Sequence, residues 1–286
     1  MTMNDVRQRY QLPDNTYGSI RTMSLYLTGF FLSLVISIVF IVIYAEKIVV
    51  YIPFSAEKKF IKPYETALRR WYRGKSYPEV DAYLQALANE MNTPLGLEAH
   101  YDINVHYVDS FEVNAFATLG GHIFVYRGLM ELMPDENSLA MVLAYEIAHI
   151  QHRDPATAMG RWGALQLLYG FLSHRYTGKD NLGSLGGEIG MSFFSREQEK
   201  NADLAALDGL HQYYGHVSGY NTFFLQMLSG HDKQVDIPQW LSTHPDLQAR
   251  IDYLQDRVDE NRLPIRQTRP IPKNIINRIK SPIETQ

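Results

Sequence analysis

The chain has 286 residues, which is enough for one globular domain of about 200 residues with additional segments. It contains no cysteine, so disulfides and thiolate metal sites are excluded and any metal must be held by His, Asp or Glu. The formal net charge of −4 divides into +5 for the segment from Arg262 onward, which has no aromatic residue, and −9 for the rest, a pattern that does not indicate nucleic acid as a partner.

The N-terminal region predicts a membrane anchor. Residues 1–22 are polar and are predicted to form a disordered tail, whereas residues 23–45 contain no charged side chain and are long enough to cross a bilayer. The alternative is a cleaved signal peptide, but the apolar run is longer than an h-region and Ile43 occupies the position of a small residue before a cleavage site. Basic residues flank both ends of the span. A short tail before a long translocated domain favours an extracytoplasmic or periplasmic domain on a single-pass inner-membrane protein.

The elements that follow predict helices and then a small sheet. Apolar residues recur at helical spacing in two segments, residues 60–73 and 78–91. Residues 101–109 alternate between apolar and polar side chains, as is typical of a half-buried strand. Two further short strands, residues 114–118 and 122–126, are separated by a Leu-Gly-Gly turn and predict a hairpin.

The second half of the chain predicts mainly helices. Asp135 is expected to cap a helix that runs to about residue 152. The apolar residues 162–172 are too few to span a bilayer and predict a buried or membrane-grazing helix, and the glycines of residues 178–190 predict a mobile loop. Later helices are expected at residues 193–210, near residues 220–228 and from Pro245 to about residue 258.

This order of elements predicts an α+β fold. The folded domain is expected to cover residues 60–260. Residues 261–286 are basic and rich in proline, show no period, and predict a docked or disordered tail.

Two helical segments contain residues that suggest a metal site. Tyr145 and His149 lie one turn apart on one helix face with Glu146 beside them, and a metallopeptidase helix uses this spacing to hold zinc between two histidines while the glutamate acts as the base. Here the first histidine is replaced by tyrosine, and a Glu and a His three residues apart are more often a solvated pair. Glu199 and Asp203 lie at positions i and i+4, which suits a metal ligand and its supporting partner, although such pairs are common on helix surfaces.

Four segments in order resemble the M48 family of membrane-associated zinc metallopeptidases, which includes CAAX prenyl endopeptidases and mitochondrial and heat-shock-induced inner-membrane proteases. They are residues 114–126 (NAFATLGGHIFVY), residues 143–154 (LAYEIAHIQHRD), residues 195–203 (SREQEKNAD) and residues 242–250 (STHPDLQAR). The resemblance extends from about residue 65 to residue 253. It implies a mainly helical, gluzincin-type metallopeptidase domain with a small sheet, placed after one N-terminal transmembrane helix.

The resemblance also implies roles for the residues of the helical motifs. His149 and Glu199 correspond to ligands of one zinc ion, and Glu146 corresponds to the general base. Asp203 corresponds to a residue that does not bind the metal itself but holds one of the metal ligands in position.

Further roles are implied for the first and the last of the four segments. His244 and Arg250, which alone indicate only a helix start and a solvated side chain, correspond to a pair that steadies the oxyanion or the site. Asn114, Ala115 and Phe116 correspond to an edge strand that pairs with the backbone of a polypeptide substrate.

Tyr145 leaves two of the usual three protein ligands at matching positions. Three outcomes remain open. Tyr145 coordinates zinc as a phenolate, which requires loss of a proton with a reference pKa of about 10; or His152, one turn after His149, replaces it; or the site binds zinc weakly or not at all.

The sequence therefore predicts a membrane-anchored zinc metalloendopeptidase that acts on polypeptides in membrane protein quality control, impaired to the extent that Tyr145 weakens zinc binding. The alternative is a pseudoprotease, a membrane-tethered module that binds polypeptides without cutting them. The expected partners are polypeptide substrates or clients, and membrane lipid through residues 23–45.

Overall fold

The structure is a computed structural model. It describes residues 16–49, 51–64, 77–98, 100–161, 194–231, 244 and 246–280. The chain divides into two compact units, of which the first comprises Met1–Ala45 with Arg161–Tyr176 and the second comprises Glu46–Gly160 with Thr177–Gln286. The apolar stretch 162–172 and the glycine-rich stretch 178–190, for which a helix and a loop were predicted, lie outside the described residues.

The first unit is described through one long helix, α1 (Thr16–Val49), whose last residues belong to the second unit. It contains the predicted span and begins within the segment predicted to be a polar tail. Residues Ile20–Ile41 are long and apolar enough to cross a membrane by length and composition. Large apolar side chains such as Leu25 and Phe30 are exposed along it. These properties fit a transmembrane helix.

The second unit contains a small mixed sheet of three strands. β1 (Asn104–Val108) runs parallel to β3 (His122–Tyr126), and β2 (Ala115–Thr118) pairs antiparallel with β3, so the order is β1-β3-β2. Both glycines of the turn Leu119–Gly121 have positive φ values, 75° and 84°, a conformation that favours glycine. The predicted hairpin is confirmed, and β2 lies at one edge of the sheet.

Helix α5 (Glu136–Gln151) is the central helix of the second unit. It begins as predicted, because the side chain of Asp135 accepts a hydrogen bond from the backbone N–H of Ser138. It packs against α3 (Pro78–Asn92), β2 and α6 (Arg196–Tyr214). Its residues from position 137 to 150 are all buried, which explains why no polar face is visible in its sequence.

Helix α6 packs along α5 and differs from its predicted range of 193–210 at both ends. It begins at Arg196 because Ser195 and Gln198 form a capping box. It continues to Tyr214, where Gly215 with a φ of 71° ends it. Further helices among the described residues are α2 (Phe54–Ile61), α4 (Arg127–Leu132), α7 (Thr222–His231), α8 (Leu247–Glu260) and α9 (Lys273–Lys280), and residues 154–161 are helical as well.

Most of the helix predicted at residues 60–73 lies outside the described residues, and its first two residues belong to a helix that begins earlier. Helix α2 runs from Phe54 to Ile61 and a short 3-10 turn follows it, while residues 65–76 lie outside the described residues. The buried face of α2 consists of Phe54, Glu57 and Ile61. A charged residue in the middle of that face conceals the apolar period in the sequence.

Residues 261–280 are docked, which is one of the two states predicted for the segment 261–286, and residues 281–286 lie outside the described residues. Residues 263–272 lead to α9, and Ile271, Ile275 and Ile279 are buried in the main hydrophobic core, where α9 packs on α3 and α4. The prolines and basic residues around these isoleucines hide their spacing of four residues. Helices around a small mixed sheet confirm the predicted α+β class.

Candidate active site and metal centre

Helix α5 carries three of the predicted site residues, all of them buried. Tyr145 and His149 lie one turn apart, and their rings meet edge to face with centroids 4.5 Å apart. Glu146 and His149 have no exposed surface, and Tyr145 is 4% exposed. The helix therefore holds this motif inside the domain, away from bulk water.

Two other elements bring the remaining polar residues to the same place. Helix α6 contributes Glu199, and His244 precedes α8. The ligand atoms of His149, Glu199 and His244 all lie within 4.8 Å of one another, and all three side chains are buried. Residues far apart in sequence thus form one cluster of nitrogen and oxygen donors.

The hydroxyl of Tyr145 lies between two members of this cluster. It donates a hydrogen bond of 2.6 Å to Oε2 of Glu199 and is 2.7 Å from Nδ1 of His244. Nδ1 of His244 is in turn 2.8 Å from Oε1 of Glu199. Burial raises the pKa of Tyr145 well above its usual value, and the charge of Glu199 adds to this, although Arg250 opposes it. The side chain is therefore a neutral phenol that acts as a donor.

The ring of His149 is oriented by its Nδ1 atom. That atom is 2.7 Å from Oδ2 of Asp154, whose Oδ1 accepts a hydrogen bond from Gln198 at 2.6 Å. The ring also stacks on Phe194, with centroids 4.1 Å apart. Its Nε2 atom is buried without a hydrogen-bond partner and lies 3.9 Å from Oε1 of Glu199. A histidine that ligates a metal has this arrangement, with one nitrogen held by a carboxylate and the other open.

Neither carboxylate oxygen of Glu146 makes a hydrogen bond of normal geometry, although the side chain is completely buried and the backbone of Ala117 interacts with it weakly. Burial raises the pKa of Glu146 to about 7, and the charge of His149 and the backbone of Ala117 on β2 lower it only in part. A buried polar group without a partner is costly unless a ligand, an ion or water completes its hydrogen bonds. Glu146 is therefore available for a reactant beside the edge strand.

Arg250 binds two of the acidic residues of α6, Glu199 and Asp203. Its Nε and Nη2 atoms bind both oxygens of Asp203 at 2.8 and 2.7 Å, and its Nη1 atom lies 2.7 Å from Oε2 of Glu199. The hydroxyl of Tyr253 also donates to Asp203. Burial would raise the pKa of Glu199, but His244, Arg250 and His149 together lower it to about 2, so Glu199 is ionised. Asp203 thus supports Glu199 through Arg250, and the guanidinium is bound to these carboxylates.

The residues predicted to bind substrate lie at the edge of the sheet. Ala115 and Phe116 belong to β2, and the backbone oxygen of Asn114 accepts a hydrogen bond from the N–H of Tyr126 at 3.0 Å. One side of β2 pairs with β3, and among the described residues no other strand pairs with its second side. The side chains of all three residues are buried, so the backbone is what this edge can offer to a peptide.

Residues 77–258 match the model of peptidase family M48. The chain belongs to this family. It is 32% identical over 180 residues to the mitochondrial metalloendopeptidase OMA1 of Bos taurus, an alignment that covers 57% of this chain and 34% of that protein. It is 29% identical over 193 residues to the beta-barrel assembly-enhancing protease of Yersinia pestis, with 62% of this chain and 37% of that protein covered. The chain therefore spans little more than a third of the length of these curated relatives.

The residues of this M48 domain fit a metal ion. The family implies a metal, typically zinc, and zinc accepts imidazole nitrogens and carboxylate oxygens as ligands. His149, Glu199 and His244 supply this donor set at close range, and the open Nε2 of His149 lies beside Glu199.

The M48 domain also shows which residues the sequence pattern did not reveal. His152 is exposed at the end of α5 and does not join the cluster, so the second histidine there is His244. No role in the site was predicted for Asp154, although an acidic residue shortly after a candidate ligating histidine is a usable signal. Phe194 and Tyr253 carry no motif that could have identified them.

Proposed function

We propose that this chain is a membrane-anchored, zinc-dependent metalloendopeptidase that acts on polypeptides in membrane protein quality control. The observation that carries the proposal is the pair of unpartnered buried groups on one turn of α5, Nε2 of His149 and the carboxylate of Glu146. An open ligand nitrogen beside an open base is what metal-assisted peptide hydrolysis requires. Similarity to proteins named metalloendopeptidase and protease supports the same reaction class.

The metal is assigned to His149, Glu199 and His244. This set differs at one position from the sequence expectation, in which Tyr145 was a candidate ligand. The phenol proton of Tyr145 is committed to Glu199 at 2.6 Å, so Tyr145 acts as a donor that orients a ligand. The imidazole of His244 is the remaining side chain whose ligand atom lies within 4.8 Å of both His149 and Glu199 among the described residues.

The chemistry is divided between the metal and the protein. When bound, zinc supplies a Lewis acid that polarises the scissile carbonyl and makes water more acidic. Glu146 takes a proton on its unpaired carboxylate from the attacking water and delivers it to the leaving amine. Arg250 and Asp203 keep Glu199 ionised and in place.

The substrate is proposed to bind as an added strand. The outer side of β2, including Asn114, Ala115 and Phe116, pairs with an extended polypeptide through backbone hydrogen bonds. Such pairing aligns a peptide bond beside Glu146, because the backbone of Ala117 in the same strand is close to that carboxylate. Backbone recognition tolerates many side chains, which suits a protease of quality control.

Membrane attachment is proposed through α1, which crosses the cell (inner) membrane once and contacts lipid through residues 23–45. The peptidase domain is placed on the extracytoplasmic side. A protease added to sealed, inside-out membrane vesicles should then leave the domain intact. Digestion of the domain in these vesicles would show that it lies on the cytoplasmic side.

The function is tested with the full chain in detergent micelles and denatured casein as the substrate. We expect cleavage that a chelator stops and added zinc restores, and a loss of at least about 100-fold in kcat/KM for Glu146→Gln with unchanged zinc content. Equal cleavage by the wild type and Glu146→Gln would refute the proposal. Casein that binds to the zinc-loaded chain without being cut would instead establish the pseudoprotease.

A further inference from the structure

Helix α2 lies outside the part of the chain that matches the M48 family. It nevertheless packs against the turn between β2, the strand proposed to bind substrate, and β3. The match begins at residue 77, whereas α2 ends at Ile61 and begins five residues after α1 ends at Val49. The turn Leu119–Gly121 rests against its buried face. A Cβ atom on Gly120 would come within 2.7 Å of Cγ2 of Ile61, so the approach is close enough to require glycine.

A buried carboxylate on α2 makes two polar contacts with the rest of the domain. Oε2 of Glu57 accepts a hydrogen bond from the backbone N–H of Gly120 at 3.3 Å, and Oε1 accepts one from Nε of Arg153 at 2.8 Å. Glu57 and Arg153 are 8% and 9% exposed. A buried ion pair contributes little net stability compared with an apolar pair, but it fixes the geometry of the groups that it joins.

The two contacts of Glu57 lead to the two halves of the candidate site. Gly120 follows β2, the strand proposed to bind substrate, after one residue. Arg153 has a φ of 65° and directly precedes Asp154, the residue that orients His149. One side chain of α2 therefore contacts both the strand proposed to bind substrate and the residue that precedes Asp154.

We infer that Glu57 is a positioning residue that fixes the substrate strand β2 relative to the Asp154 turn, and that α2 is thereby part of the proteolytic apparatus. This inference rests on the proposed function for its kinetic consequence only. The structural consequence, that Glu57 restrains the hairpin and the turn after α5, is measurable whether or not the chain cleaves peptides.

The test uses the full chain in detergent and compares wild type with Glu57→Gln. Hydrogen exchange is measured in residues 115–126 and 152–158, with α3 (Pro78–Asn92) as the internal reference. We expect exchange to become about 10-fold faster or more in both segments and to stay unchanged in α3. For denatured casein we expect kcat/KM to fall about 10- to 100-fold, because misplacing a substrate by about 1 Å has an effect of that size.

Lys58→Gln is the matched control, since Lys58 is the next residue on α2 and forms an exposed ion pair with Asp102 at 3.0 Å. It should behave as wild type in both measurements. Unchanged exchange in Glu57→Gln, or a uniform increase that includes α3, would overturn the inference. If Glu57→Gln does not fold, it is replaced by the double variant Glu57→Gln/Arg153→Gln, which leaves no unpaired charge of this ion pair buried. Unchanged exchange or a uniform increase in the double variant would likewise overturn the inference.

Discussion

The hydroxyl of Tyr145 donates a hydrogen bond of 2.6 Å to Oε2 of Glu199, and this bond joins α5 to α6 at the place where the metallopeptidase motif has its first histidine. The second oxygen of Glu199, Oε1, lies 2.8 Å from Nδ1 of His244, so Tyr145 and His244 both contact the same carboxylate. Tyr145, Glu199 and His244 therefore form one connected hydrogen-bond network. A histidine from a distant part of the chain, His244, is the third member of the cluster that could hold a metal ion.

Asp154→Asn should weaken zinc binding. Asp154 accepts from His149, and loss of such a partner typically lowers metal affinity about 10- to 100-fold. Affinity is measured by competition with a chromogenic chelator. Asp208→Asn serves as the control because Asp208 is half exposed in an ion pair with Arg257. Equal affinity in the two variants would show that Asp154 does not support a ligand.

Arg250→Met should destabilise the domain by about 3–5 kcal/mol, since it leaves the buried carboxylates of Asp203 and Glu199 without their cation. Arg257→Met breaks an exposed ion pair on the same helix and should cost no more than about 1 kcal/mol. Urea unfolding followed by circular dichroism gives both free energies. A difference below about 1 kcal/mol between the variants would contradict the role given to Arg250.

Ile275→Ala should destabilise the domain by about 2–5 kcal/mol, because it opens a cavity where α9 packs into the main core. Asn274→Ala, at the exposed neighbouring position, should have little effect. The same urea experiment compares them. Equal stabilities would mean that the C-terminal segment is not part of the cooperative unit.

The sequence predicted the elements whose local signals are strong. Asp135 specified the start of α5, and the two glycines after β2 specified the hairpin, because capping and positive φ depend on neighbouring residues alone. The start of α2 was missed because its buried face includes Glu57, whose charge is balanced by Arg153, almost a hundred residues later.

The candidate site was predictable only where a motif identified it. The position of Glu199 followed from a family pattern, but its contacts with Tyr145 and His244 depend on how α5, α6 and the segment before α8 pack together. The spacing of residues along the sequence does not predict the distances from Glu199 to Tyr145 and His244. For the same reason His152, close to His149 in sequence, was considered as a ligand before His244, which is far from it.

The zinc content of Tyr145→Phe beside that of His244→Ala tests the proposed metal set most directly. Phenylalanine removes the hydroxyl and keeps the ring, so a chain that holds zinc through His149, Glu199 and His244 should still bind about one zinc ion, as wild type does, while His244→Ala should bind it at least about 10-fold more weakly. Loss of zinc from Tyr145→Phe with retention in His244→Ala would contradict the proposal and make the tyrosine itself the ligand.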